Sequence, residues 1–143
     1  MKSEIETTID VLWNRLKLYP KRWVELKFYS EQIEVLNQKL LDIGTPKGIS
    51  YDKQSFSNGL SKESLYNQIL SDKQELEEKV YQVQKEISFL DEVLKSLSSE
   101  VFDFVDYKFL TSHTWEQCEE KFFYSKRYIE IHIRNELKSF LTK

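Results

Sequence analysis

The sequence predicts an all-α chain: a long antiparallel coiled-coil helical hairpin followed by a small three-helix unit. Three observations predict it. The 143 residues include only three glycines and two prolines, too few for the turns of a sheet protein or the phosphate loops of a nucleotide-binding α/β fold. Seven-residue apolar series run through two long segments. Helix-capping patterns precede the remaining apolar runs.

Composition bounds the class further. Hydrophobic residues are 40%, aromatics 14% and charged residues 31%, with a mean hydropathy of -0.57. That is too apolar for a disordered chain and too charged for a membrane span. The formal net charge is -3, and the length suits one domain, or a small domain joined to an elongated segment. The opening MKSEIETTID carries carboxylates where a secretory signal has an apolar run, so a cytoplasmic location without membrane contact is expected. Cys118 stands alone, which excludes an intrachain disulfide and a cysteine-based zinc site.

The first helix opens at Ser3, with Glu6 three residues on in capping-box form, and runs to about Tyr19. Ile5, Ile9, Leu12 and Leu16 give it one apolar face, with Trp13 beside them. Pro20 interrupts, because it lacks an amide proton and disfavours helix at Tyr19, yet it can open the next helix. The second helix, about residues 21–43, carries Leu26, Ile33 and Leu40 in one heptad series and Tyr29, Leu36 and Ile43 in the other. Gly44 suits the residue just past its end, and residues 45–60 form the one long loop. Ser61 caps the third helix, with Leu60 and Leu65 placed as a hydrophobic staple. Ile69, Leu76, Val83, Leu90 and Leu97 form one of its series, and Val80, Ile87 and Leu94 the other.

Two heptad helices joined by a loop fold back most economically on each other. The third outruns the second, so its surplus seam needs either the first helix or a second subunit, and a homodimer through the heptad helices is expected. Residues 1–97, with a loop at about 44–60, make up this helical region, and 98–143 the C-terminal unit. Three aromatic-rich helices are expected there, at about 101–110, 114–122 and 125–141.

Within that unit, Thr114 and Gln117 have capping-box spacing, Trp115, Cys118 and Phe122 share one face, and Ser125 is a good N-cap. Ile129, His132 or Ile133, Leu137, Phe140 and Leu141 supply the inward stripe of the last helix. Two short helices joined by a tight turn outline a helix-turn-helix. The segment TWEQCEEKFFYSKRYIEIHIRNELKSF resembles the fourth-region helix-turn-helix of bacterial sigma factors, matching at Thr114, Trp115, Glu116, Cys118, Phe122, Tyr124, Ser125, Ile129 and Leu137. With a coiled-coil half in front, the chain resembles phage late-gene transcriptional regulators of the ArpU/RinA kind. The resemblance implies a sigma-like activator in a bacterial host cell that binds double-stranded DNA and contacts RNA polymerase. It also implies that Ser125 caps the recognition helix and that Lys126, Arg127, Tyr128, Ile131, Arg134 and Lys138 face DNA, with Lys143 a further phosphate contact. Arg127 suits a base edge, because its planar fork can bond guanine bidentately.

Glu119 stands where the family carries a small residue, Phe123 where the turn usually holds glycine, and Glu130 at a commonly basic position. Residues 101–143 carry seven Lys/Arg and seven Asp/Glu, while residues 125–143 carry five basic and two acidic side chains. These features motivate an alternative: a phage protein with a decayed helix-turn-helix that binds and inhibits a host protein, for example a CRISPR effector.

No other constellation carries chemistry. Cys118 reads as a small buried hydrophobe, His113 as a loop residue, and His132 as a half-buried helix residue. Trp13 and Trp23 read as core around the Pro20 bend, and Gln74–Val80 as a solvated coiled-coil face. There is no nucleophile with a plausible base, no phosphate-cradling loop and no HExxH pattern, so neither an enzyme nor a cofactor is expected.

Overall fold

A computed structural model describes residues 2–44 and 61–143. The chain is all-α, and no strand occurs among the described residues. The elements are α1 (Glu4–Lys17), α2 (Tyr19–Gly44), α3 (Lys62–Ser96), α4 (Ser99–Val105), a π-helical turn (Asp106–Leu110), α5 (Trp115–Phe122) and α6 (Lys126–Leu141). The expected loop at 45–60, and the Leu60 half of the staple, lie outside the described residues.

Side-chain caps set the helix starts. Ser3, Ser61, Ser98 and Ser125 each accept the amide proton three residues ahead, from Glu6, Ser64, Val101 and Tyr128. Each satisfies a donor that has no partner inside its helix. At Thr114 the box is reciprocal: its hydroxyl accepts from the Gln117 amide at 3.1 Å, and its own amide donates to the Gln117 side chain at 2.9 Å. α2 starts at Tyr19, two residues before the sequence suggests, with Pro20 in its first turn where a missing amide proton costs no hydrogen bond. Gly44 is its last helical residue, not the one beyond.

The chain divides into two compact units, Met1–Trp23 with Lys85–Lys143, and Val24–Gln84. The first holds the continuous core. Ile9, Leu12 and Leu16 of α1 join Leu90, Val93, Leu94 and Leu97 of α3 in one buried cluster. The first helix thus covers the end of the α3 seam. Val101, Phe104 and Val105 of α4, Phe109, Cys118, and Ile129, Ile133 and Leu137 of α6 complete the cluster. Burial raises the Cys118 thiol above its ordinary value, which keeps it protonated and inert.

Two features of this unit are absent from the sequence pattern. The chain continues from α4 into the π-helical turn, where the Thr111 amide reaches back five residues to the Asp106 carbonyl at 2.9 Å. The added residue per turn buries Phe109 and leaves the Tyr107 ring to stack on His113, 3.7 Å between centroids. Trp13 packs edge-on to Phe109 and beside Trp115, as expected of core. Trp23 instead is about half exposed.

Polar ties fix α1 and the start of α2 to α3. The Tyr19 hydroxyl donates to Asp91 at 2.5 Å. Arg15 forks onto Glu86, its Nε at 2.8 Å, and its guanidinium lies 4.3 Å from the Phe89 ring centre. Arg15 holds the Glu86 carboxyl below the usual carboxylate range. A carboxyl more acidic in the folded than in the unfolded chain stabilises the fold above its unfolded pKa, and that contribution is lost as pH falls through the folded value. Glu86→Gln is therefore expected to flatten the acid limb of a stability-against-pH curve, measured by urea unfolding from neutral pH downward, and to leave its shape at neutral pH unchanged.

In the second unit the heptad residues Leu26, Tyr29, Ile33, Leu36, Leu40 and Ile43 of α2 are half-buried, and Ile69 and Val83 of α3 are buried. The Lys79 ammonium lies 5.7 Å from the Tyr29 ring centre, joining the two helices there. Lys73, a costly residue on a dry seam, is only partly buried.

Candidate nucleic-acid interface

α5 and α6 are joined through Phe123, Tyr124 and Ser125, and the local chemistry fixes the junction. Phe123 takes a left-handed backbone (φ 60°, ψ 31°), and its amide closes α5 on the Glu119 carbonyl at 3.0 Å. A side chain with a Cβ costs about 1–2 kcal/mol in that region, and the Phe123 ring is 89% exposed, so packing returns little. Phe123→Gly is expected to stabilise the chain by about 1 kcal/mol net of glycine's extra unfolded-state freedom, seen as a higher Tm by calorimetry.

Glu119 has a purpose its position in the motif conceals. Its carboxylate accepts the Lys126 amide at 2.8 Å, while Ser125 accepts that of Tyr128. Two amide donors at the start of α6 are thereby occupied, and a negative charge sits at the positive end of the helix. This capping requires a carboxylate seven residues upstream, so a small residue could not replace it.

Leu137, Ile133 and Ile129 turn inward, so the opposite side of α6 faces solvent. Arg127, Ile131, Arg134 and Lys138 recur there at four-, three- and four-residue spacing, one continuous row. Arg127, Ile131 and Lys138 are exposed. Among the described residues neither Arg127 nor Lys138 has an ion-pair partner. With Lys126 and Glu130, the first three members of the row line a shallow depression.

The other expected contacts are placed differently. Tyr128 lies off the row: its ring stacks on Tyr124 at 4.0 Å and His132 at 3.9 Å, and its hydroxyl is 3.4 Å from Glu100. Desolvation among these groups, with help from Tyr124 and Glu100, pushes that hydroxyl up to about 12. Its ring is half-buried, edge-on to Phe104 of α4 with 6.4 Å between centroids. Ser125 spends its hydroxyl on the cap. Lys126 is exposed, 3.8 Å from Glu130 and 5.5 Å from the Trp115 ring centre.

Two carboxylates near this face come from elsewhere in the chain or along α6. Asp10 of α1 accepts Arg134 at 2.8 Å and Lys2 at 2.5 Å, and these two cations hold its carboxyl below the usual range. Nothing in sequence spacing signals a pair 124 residues apart. Glu136 is turned to α4, where it accepts the Ser98 amide and hydroxyl at 2.6 and 2.7 Å. Phe140 and Leu141 complete the inward flank. No His, Cys, Asp or Glu cluster fit for a metal occurs among the described residues, and none of their helices is long and apolar enough to cross a membrane.

A row of cations around an exposed isoleucine, on a helix whose start is doubly capped, is suited chemically to meeting a polyanion edge-on. Comparison with protein-family models, with curated proteins and with solved structures returns no match to this chain.

Proposed function

We propose that the chain is a phage-type transcription regulator that binds double-stranded DNA through the outward face of α6, used as the recognition helix of a sigma-like helix-turn-helix. The single observation that carries this reading is the outward Arg127–Ile131–Arg134–Lys138 row, exposed at every member but the half-buried Arg134. Arg127 stands in the first turn, where a recognition helix enters the major groove, and Lys138 toward the other end, where it meets phosphate. The long helices serve as a hairpin that carries this head and offers a surface to RNA polymerase. Tyr19 on Asp91 and Tyr29 beneath Lys79 support antiparallel pairing, since positions rise along α2 as they fall along α3. The modest charge of the head suits a protein that depends on polymerase for part of its hold on DNA.

The test is fluorescence anisotropy with duplexes from the phage's own promoters across a salt series. Binding that weakens steeply as salt rises is expected, because each phosphate contact releases counterions. Salt-independent binding, or none, removes the proposal. Asp10→Asn sharpens it. Releasing Arg134 and Lys2 from a carboxylate is expected to tighten binding several-fold and to steepen the salt dependence by about one counterion.

A second reading is favoured by one observation, the nearly bare Phe123 ring at the α5–α6 junction. An aromatic so exposed suits a partner's apolar pocket better than a phosphate backbone. On this reading the protein grips a host protein, such as a CRISPR effector, and inhibits it. Affinity capture from host lysate with nuclease treatment separates the two: polymerase subunits support the first reading, a defence nuclease the second.

A further inference from the structure

Three aromatic residues stand in succession at the α5–α6 junction, and the fold uses two of them. Phe122 meets Phe104 and Tyr107 edge-on, at 4.9 and 5.6 Å between centroids, and Tyr124 stacks on Tyr128 at 4.0 Å. Phe123 between them is nearly bare, and among the described residues no ring or cation meets it. It also holds a left-handed backbone (φ 60°) that glycine holds without strain. A phenylalanine here costs stability and returns no packing, the pattern of a residue whose use lies outside the chain.

The surroundings say what meets the ring. Residues 121–127 (KFFYSKR) carry three cations and no carboxylate, and Lys121, Lys126 and Arg127 are all exposed. Glu119 is turned onto the Lys126 amide and Glu130 toward the Lys126 ammonium. Glu116 and Glu120, exposed on α5, subtract from this positive field without reversing it within the segment. Lysine is depleted from the dry core of protein–protein interfaces. Rings interleaved with cations are instead the surface that takes a nucleic-acid strand, the cations on phosphates and the ring on a base. A phosphate does nothing for a bare ring, whereas the flat face of a base covers it. In a fully stacked duplex every base face is already covered, so the ring needs a step that has come apart.

We infer that Phe123 stacks on a nucleobase at an unstacked step of the DNA, so that the head favours a locally opened duplex over a fully paired one. The inference rests on the reading of α6 as a DNA-binding helix and adds the state of the DNA that this helix meets. Arg127, first in the α6 row, is four residues further on, which sets the opened step beside the bases that α6 reads.

Fluorescence anisotropy of the full chain tests this with two probes: a labelled promoter duplex, and the same duplex with one mismatched step walked along it. A mismatch at one position is expected to tighten binding about tenfold, because the unstacking is already done. Phe123→Gly, which relieves the strained backbone, loses that preference and binds the mismatched duplex about tenfold or more weakly. Its salt dependence is unchanged, since stacking releases no counterion, and its higher Tm shows that the loss is not one of folding. Phe123→Trp keeps the preference. Salt-sensitive binding that ignores both the mismatch and Phe123→Gly overturns the inference and leaves α6 its paired duplex. No binding to either probe removes the reading of α6, and the inference with it. A Phe123→Gly chain that keeps its DNA binding but no longer captures a host protein assigns the ring to a protein pocket and overturns the inference.

Discussion

Phe104→Ala is expected to lower the unfolding free energy by about 3–5 kcal/mol. The ring is 1% exposed and lies where α4, α5 and α6 converge. Phe122 meets it edge-on at 4.9 Å, Tyr124 at 6.1 Å and Tyr128 at 6.4 Å between centroids. Truncation removes the transfer free energy of a phenyl ring and leaves a void that rings fixed on α5, α6 and their junction cannot collapse to fill. Edge-to-face geometry adds about 0.5–1.5 kcal/mol per pair beyond area burial. Urea unfolding followed by circular dichroism measures the change. Phe102→Ala, two residues away and 37% exposed, is the comparison and is expected to cost clearly less than Phe104→Ala, about 1–2 kcal/mol. A similar small loss at Phe104 would mean that α4 does not anchor the head.

Arg127→Ala has the largest expected effect on binding. If Arg127 forks onto a guanine edge, its removal costs about 1–3 kcal/mol, roughly a ten- to hundredfold loss of affinity for the target duplex. Discrimination at that base pair is lost with it. Lys138→Ala, a phosphate contact in the same reading, is expected to weaken all duplexes alike and to make the salt dependence shallower by about one counterion. Neither residue touches the core, so Tm should not move in either variant. Equal, sequence-independent losses at both positions would reduce Arg127 to a phosphate contact.

The order of the helices was legible in the chain because each carries its own start signal and its own period. Ser3, Ser61, Thr114 and Ser125 act within four residues of themselves, and such local hydrogen bonds need no tertiary context. The inward stripe of α6 was legible for the same reason, since Ile129, Ile133 and Leu137 are spaced by one helical turn. The outward row follows from that stripe by geometry alone.

Other roles depended on residues far apart in sequence. Tyr128 stands beside Arg127 in the chain, yet a rotation of about 100° takes it to the flank that stacks on Tyr124 and packs on Phe104. Glu119 reads as a misfit in its motif until its carboxylate is seen capping Lys126. Trp23 reads as core because large aromatics usually are, but the core formed where α1, α4 and α6 meet, and that left it at the edge.

Local periodicity and capping in the sequence itself determined that this protein is all-α, where α1, α3, α5 and α6 begin, and which side of α6 is dry. Tertiary packing alone decided that α1 joins the C-terminal helices and that Asp10 holds Arg134. The division has one physical cause. Backbone hydrogen bonds and helical period act over one or two turns, whereas burial and ion pairing depend on which surfaces meet, and that is set by the whole chain at once.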